Sequence, residues 1–411
     1  MKYIRMFILP AALVSLAVCS VHAQATLYGI GDLSGGATWS QVRDATKTGG
    51  VIYAVGSGSA NTGSTSGDTA VLWTSSGGLS AIPNLVTNTT STNFVTASDI
   101  TPDAAYIAGR SRIANPGSDR QAVIVTTSGL SLNALATPSG FSTPSYAVSI
   151  SDNGSIAYGV AINGSSGLQA VRFGSGGSAT AINFASVGDI ASIPTARAVS
   201  SNGNLMLGTS STNALGAGAG SRAFIYNDTN TSVNLLPLLA GGSWSQGLAM
   251  NAAGTLSLLG GDTATNANGE LYLTDGTTVT SLGTPNPSFG LNILGGMNSD
   301  GSVVGLTWTT STANYAYIHN ANGWLDFFSV ASMSGANLSG WTTLNINGIS
   351  EDGTLVWGDG LHDGNNEGYV LEFSAGYLAS AIPEPSTYAA LAGLGALGFA
   401  AWRRRARSGL A

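Results

Sequence analysis

Apolar residues along this chain come in short runs separated by clusters of Gly, Ser, Thr, Asn and Asp. Such runs predict strands closed by tight turns; amphipathic helices would need longer stripes at helical spacing, and none stands outside the two termini. One order of elements recurs: an Ala/Ile/Ser strand, an Asx-Gly turn, a short apolar strand ending in Gly, a polar loop, and a third apolar strand. Ala147-Val148-Ser149-Ile150-Ser151-Asp152-Asn153-Gly154 leads to Gly159 and then to Ala170-Val171-Arg172-Phe173. Ala198-Val199-Ser200-Ser201-Asn202-Gly203 leads to Gly208 and Ala223-Phe224-Ile225-Tyr226. Met297-Asn298-Ser299-Asp300-Gly301 leads to Gly305 and Ala316-Tyr317-Ile318-His319, and Ile349-Ser350-Glu351-Asp352-Gly353 to Gly358 and Gly368-Tyr369-Val370-Leu371.

Weaker copies end at Gly56, Gly109 and Gly260, so seven units of about fifty residues follow one another. Asn-Gly or Asp-Gly between apolar runs supplies the positive φ of a hairpin turn. A fourth run usually follows, as in Leu79-Ser80-Ala81-Ile82, Val233-Asn234-Leu235-Leu236 and Val279-Thr280-Ser281-Leu282. Four strands per unit predict an all-β, seven-bladed β-propeller-like domain over residues 24–381. The seventh unit lacks its fourth strand. Leu33-Ser34-Gly35-Gly36-Ala37-Thr38-Trp39-Ser40-Gln41 resembles Leu239-Ala240-Gly241-Gly242-Ser243-Trp244-Ser245-Gln246, which follows a fourth strand. Thr26 to Leu33 is therefore expected to be a strand that completes the last blade and closes the ring, removing both open sheet edges.

The two ends break the pattern. Lys2 and Arg5, the apolar run Met6 to Val18, and Val21-His22-Ala23 have the parts of a secretory signal peptide over residues 1–23, cut between Ala23 and Gln24. Val18 is too bulky for lipoprotein processing at Cys19. At the other end, over residues 382–411, Ile382-Pro383-Glu384-Pro385-Ser386-Thr387 precedes an apolar stretch from Tyr388 to Trp402 and then Arg403-Arg404-Arg405-Ala406-Arg407. The prolines stop any preceding strand. The apolar stretch is just long enough for a transmembrane helix in the precursor, with the arginines as a cytoplasmic stop.

The tail resembles the PEP-CTERM sorting signal, with Pro383, Glu384 and Pro385 as the motif and Arg403, Arg404, Arg405 and Arg407 as the membrane stop. The resemblance implies export in a Gram-negative bacterium, handling by the membrane enzyme exosortase, and a place at the envelope surface or in the extracellular matrix or biofilm, where exosortase systems accompany exopolysaccharide. The repeated units resemble HAF-family extracellular repeats, through segments such as Ala70-Val71-Leu72-Trp73 and Ala223-Phe224-Ile225-Tyr226.

Composition narrows the chemistry. Only 9% of residues are charged, against about 25% in ordinary globular chains. Between residues 24 and 382 eight basic residues face 20 acidic ones, a formal charge of −12 that disfavours nucleic-acid partners. Cys19, the single cysteine, leaves with the signal, so the mature body holds no disulfide.

Candidate sites are few. After signal removal only His319 and His362 remain, the first in a third strand where sister units carry Trp73, Phe173 and Tyr226, the second in the acidic loop Asp359-Gly360-Leu361-His362-Asp363. His319 reads as packing and His362 as a solvated loop residue. No nucleophile elbow or zinc spacing is present. Asp152, Asn153, Asp300 and Asp352 recur at the turn of each unit, so the hairpin explains them without calcium. Asp359, Asp363 and Glu367 form the densest acidic cluster. Trp39, Trp244, Trp308, Trp324, Trp341 and Trp357 are candidates for stacking on sugars; Trp39 and Trp244 hold equivalent positions, which favours packing between blades. Thr26-Leu27-Tyr28-Gly29 is porin-like, but the chain does not end in a barrel strand. The sequence thus predicts no catalytic residue, metal or cofactor, and a non-catalytic binding or structural protein whose partners are exosortase, the secretion machinery, the membrane before processing, and extracellular polysaccharide. The alternative is a carbohydrate-active hydrolase or lyase using axial carboxylates about 5–9.5 Å apart.

Overall fold

The computed structural model describes residues 23–380 except 61–68, 84, 86–95, 113–119, 164–166, 175–176, 185–192, 212–219, 287–292 and 310–312. Pro383, Glu384 and Pro385, the expected transmembrane helix and the arginine stop fall outside the described residues. So does the expected signal segment, apart from Ala23. Among the described residues no helix is long and apolar enough to cross a membrane.

The first strand, β1 (Ala25–Gly29), is followed by seven sets that make seven four-stranded antiparallel sheets, the blades of a β-propeller. Blade one is β2 (Ser40–Thr48), β3 (Val51–Gly58), β4 (Thr69–Thr74) and β5 (Gly78–Ala81). Blade two is β6 (Thr96–Ile100), β7 (Tyr106–Arg112), β8 (Arg120–Thr126) and β9 (Ser131–Ala134). Blade three is β10 (Ser142–Ile150), β11 (Ile156–Ile162), β12 (Leu168–Gly174) and β13 (Ala179–Ala181). Blade four is β14 (Ile193–Val199), β15 (Leu205–Ser211), β16 (Arg222–Asn227) and β17 (Ser232–Leu235). Blade five is β18 (Ser245–Met250), β19 (Ser257–Gly261), β20 (Glu270–Thr274) and β21 (Val279–Gly283). Blade six is β22 (Ile293–Met297), β23 (Val304–Thr309), β24 (Asn314–Asn320) and β25 (Gly323–Asp326). The seventh holds β26 (Trp341–Ile349), β27 (Leu355–His362) and β28 (Asn365–Phe373), and its fourth strand is β1, paired antiparallel from Ala25 opposite Phe373 to Gly29 opposite Tyr369.

The expected N-terminal strand runs shorter than Thr26 to Leu33. It stops at Gly29; Ile30 still donates to the Gly368 carbonyl, and Gly31 then turns at φ +71° with its N–H on Glu367 Oε1. A second difference is α1 (Phe327–Met333), a seven-residue helix between blades six and seven. Asp326 caps it by accepting from Ser329 N, and Phe327, Val330 and Ala331 bury one face. Its Ser334 carbonyl receives the Gln24 N–H, and Gln24 in turn accepts from Ser374 N, so the start of the body is pinned beside the end of β28.

The core lies between blades. Each strand buries its alternate residues against the neighbouring sheet, so apolar clusters form at each interface. Ile107 and Val123 pack against Val55 and Ala70 of the preceding blade, and Phe224 against Tyr158. Ile30, Val42, Ile52, Trp73, Trp357 and Val370 make such a cluster between blades seven and one. The equivalent turns around Leu33 and Leu239 fold alike: Gly36 N donates to Leu33 O and Gly242 N to Leu239 O, with Gly35 and Gly241 at positive φ. Ser40 Oγ then accepts from Gly368 N of the seventh blade, as Ser145 does from Ala122 and Ser245 from Ala223 at other interfaces.

Candidate functional site

The recurring glycine of the sequence pattern has a steric origin that shapes the axis. In five blades it faces the innermost strand: Gly56 opposite Val42, Gly109 opposite Ala97, Gly159 opposite Ala147, Gly208 opposite Ala196 and Gly358 opposite Ile346. A Cβ on Gly56, Gly109, Gly159 or Gly358 would overlap the carbonyl oxygen of Gln41, Thr96, Tyr146 or Asn345. In blades five and six the other strand supplies the glycine, Gly247 facing Leu259 and Gly295 facing Leu306. Gly260 and Gly305 thus stand one residue off this column. Spacing along the chain cannot tell which partner of a strand pair carries the glycine.

The close approach lets the inner strand bulge next to the glycine, and a bulge re-aims a side chain. The bulged residues are Arg43, Ser98, Val148, Arg197, Leu248 and Asn347, each followed by one that resumes the pairing; β22 has no bulge and presents Gly295 and Gly296. Together they line an axial channel of about 510 Å³, which opens towards the turns that join the first and second strands of the blades.

Charge in this lumen is unevenly satisfied. Asp44 and Asp99 hydrogen-bond to each other. Asp44 Oδ2 also accepts from Ile100 N of the next blade and Asp99 Oδ2 from Ile150 N of the one after, at 2.9 and 2.8 Å. Enclosure by protein, then the neighbouring Asp99, pushes Asp44 well above the carboxylate range, and enclosure raises Asp99 as well. The pair laces three blades together. Arg43 and Arg197 reach into the same lumen. Enclosure lowers both guanidinium pKa values, opposed for Arg43 by Asp359; nothing comparable opposes it for Arg197. No carboxylate among the described residues lies within ion-pairing distance of Arg197, whereas Arg172 is paired with Asp228 at 2.7 Å.

The mouth is a ring of turns. Asp152 N donates to Ser201 O, Ser201 N to Ala252 O, and Ser299 N to Glu351 O, while Glu351 Oε1 accepts from Ala252 N across the sixth blade. The turn residues singled out in the sequence are used within this ring. Asn153 accepts from Ser155 N, Asp300 from Ser302 N and Asp352 from Thr354 N, each closing its own turn. Asp152 lines the channel mouth. Among the described residues no group of three His, Cys, Asp or Glu is placed to hold a metal.

The remaining candidates disperse. His319 packs edge-on against Trp324 at 4.8 Å, and burial lowers its pKa. His362 is the last residue of β27 rather than a solvated loop residue: it stacks on Trp341 at 4.7 Å, and its Nδ1 meets Glu367 Oε2 at 2.6 Å, which raises its pKa. Strand pairing to Asn365 extends β27 through this position. Of the acidic cluster, Asp359 stands apart and accepts from Gln41, Asn345 and Asn347, while Asp363 and Glu367 both flank His362 and Glu367 also accepts from Gly31 N. Trp244, Trp308, Trp341 and Trp357 are buried, and Trp39 and Trp324 are half-buried. Trp324 Nε1 donates to Leu282 O and Trp357 Nε1 to Arg43 O, so both join neighbouring blades.

The lumen residues Arg43, Asp44, Asp99, Arg197 and Asn347 were not singled out by the sequence reading. A signal existed. From the second blade on, the residue three positions before the Ser, Thr or Asn of the turn is Ser98, Val148, Arg197, Leu248, Gly295 or Asn347, a variable column within an otherwise repetitive segment.

Residues 381–405 match the family model described as the PEP-CTERM protein-sorting motif. The tail is a PEP-CTERM sorting signal. Such a signal marks an exported protein of the Gram-negative envelope that exosortase sorts. No curated protein matches the chain. Among solved structures, oligogalacturonate lyase in complex with manganese is similar over 74% of this chain and 82% of its own, at 12% identity and a TM-score of 0.51. The β-propeller domain of the Trilobed protease from Pyrococcus furiosus, described as having an open velcro topology, is similar over 84% of this chain and 98% of its own, at 12% identity and a TM-score of 0.50. TolB from Acinetobacter baumannii is similar over 62% of this chain at 16% identity and a TM-score of 0.43, and the chain spans 57% of that protein. At these identities the first two likenesses show the propeller fold alone.

Proposed function

We propose that this exosortase-sorted propeller works at the cell surface or in the extracellular matrix as a non-catalytic binding protein for extracellular polysaccharide, with the axial channel as its binding site. The observation that carries the reading is the bonding of the lumen's carboxyl pair. Asp44 and Asp99 are hydrogen-bonded to each other, and each spends an oxygen on a neighbouring blade's N–H. Glycoside hydrolysis needs two carboxyl groups held apart, about 5–9.5 Å, with a sugar or a water between them. A mutually bonded pair favours a scaffold role over that chemistry. The channel volume falls in the range of small-ligand sites, roughly 300–1,000 Å³. HAF-like repeats in an exported protein suit an extracellular role.

We infer further that β1 closes the ring of blades in the mature protein. The pairing of β1 with β28, the Ser40 bond to Gly368 and the shared apolar cluster at Trp73 and Trp357 support this. The hydrolase or lyase reading keeps one attraction, a polar lumen at the propeller axis. Incubating the purified mature protein with a glycan array and with the same polysaccharides in solution separates the two readings. Binding without new reducing ends or unsaturated products is expected; turnover would replace the binding role with an enzymatic one, and neither binding nor turnover would remove both.

A further inference from the structure

Three polar atoms in the channel wall lack hydrogen-bond partners among the described residues although they are buried: Arg197 Nε, Ser149 Oγ and Asn347 Oδ1. They come from three blades and line the same lumen. Buried polar atoms left unpaired are rare and call for a partner the structure does not contain, and an enclosed guanidinium is the most demanding of them. Arg cannot shed its charge, so an enclosed Arg197 without a carboxylate calls for an anion. A second guanidinium, Arg43, projects into the lumen three blades round the ring, and its one electrostatic counterweight is Asp359.

Four of the acids that share the channel are otherwise engaged, and the fifth, Asp152, stands exposed at its mouth. Asp44 and Asp99 are bonded to each other and to backbone N–H groups. Glu351 accepts from Ala252 N, and Asp352 from Ser350 and Thr354. These acids favour a ligand with a single negative group over a polyanion, since a body of formal charge −12 repels dense negative charge. Asn347 reinforces this: its Nδ2 is spent on Val42 O and Asp359, which leaves its buried Oδ1 without a donor. A guanidinium suits a carboxylate, and a hydroxyl and an amide oxygen suit sugar hydroxyls.

We propose that the channel takes a uronic-acid residue of an extracellular saccharide, its carboxylate on Arg197 with Arg43 facing it and its hydroxyls on Ser149 and Asn347. This rests on the polysaccharide-binding reading and names the ligand class within it. The test is calorimetric titration of the full mature protein with short glucose oligomers that carry a single glucuronic acid residue and with matched oligomers of glucose alone, for the native chain, Arg197→Gln and Arg197→Lys. Binding of the acidic oligomer, about tenfold or more weaker in Arg197→Gln and partly restored in Arg197→Lys, is expected, with affinity falling as salt is added. The melting temperature of Arg197→Gln should match or exceed that of the native protein, because an unpaired enclosed charge is removed; this shows that lost binding is not lost folding. Equal binding of both oligomers, unchanged in Arg197→Gln, would overturn this proposal and leave the wider reading standing. No binding of either oligomer by a folded native protein, alongside binding of other neutral polysaccharides, would also overturn it. Failure with all saccharides would remove both.

Discussion

Thr231 sits in the exposed turn between β16 and β17 with φ +54°, a left-handed conformation that penalises a β-branched residue. Thr231→Gly is expected to raise stability by about 1 kcal/mol, read as a higher denaturant midpoint at unchanged slope. A second residue-scale consequence concerns pH. The raised Asp44 means that folding takes up a proton, so its contribution is fully present below the unfolded value near 3.8 and is lost as pH rises through the folded value. His362, raised by Glu367, has the same sign over a higher window that begins at its ordinary 6.5. Carboxylates with lowered values, such as Asp103 and Asp300, act in the opposite direction only at more acid pH. Melting temperature should therefore decline from mildly acid to alkaline pH. Asp44→Asn, which can keep both hydrogen bonds and cannot ionise, should flatten the lower part of that decline, and His362→Gln the upper part. A native melting temperature that rises over the same range would contradict the raised Asp44.

At the scale of elements, the glycine opposite each bulge makes a sharp contrast with glycines in open turns. Gly159→Ala places a methyl on the Tyr146 carbonyl and should cost more than about 3 kcal/mol. Gly129→Ala, at φ +84° with nothing near its Cβ position, should cost only about 1–2 kcal/mol. Denaturant titration of the two variants side by side checks this order. Removing β1 uncovers the outer edge of β28 and takes Leu27 and Tyr28 away from the apolar clusters they pack against, so a chain lacking residues 24–31 is expected to melt lower and to self-associate through that edge. An unaltered monomer with an unaltered melting temperature would show that β1 does not hold the ring.

Much of this scale was legible in the sequence because turns have local chemistry. Asp152-Asn153-Gly154 and its sisters announce hairpins from their own side chains, and the Leu33 and Leu239 segments announce equivalent corners. The bulges are different. They depend on how two strands meet, so Arg43 and Arg197 read as ordinary strand residues until the pairing shows them turned to the axis. His362 was misplaced for a related reason: β27 extends through an acidic segment because β28 pairs with it. The helix α1 escaped the periodicity reading because two turns offer too short a stripe.

For the whole molecule, delivery precedes any use of the channel. Gln24 is pinned to Ser334 and Ser374, and the last described residues meet Asn320, whose Nδ2 donates to Leu378 O and Ser380 O. The two ends of the described chain therefore lie near one another, at blades six and seven, on the face that carries the channel mouth: Phe373 N donates to Thr354 O, in a turn that lines the channel. The most direct test of this account is the intact mass of the protein recovered from the cell surface. It predicts a chain that begins at Gln24 and ends before the arginines that follow Trp402. A surface protein that retains Arg403 to Arg407 would contradict it.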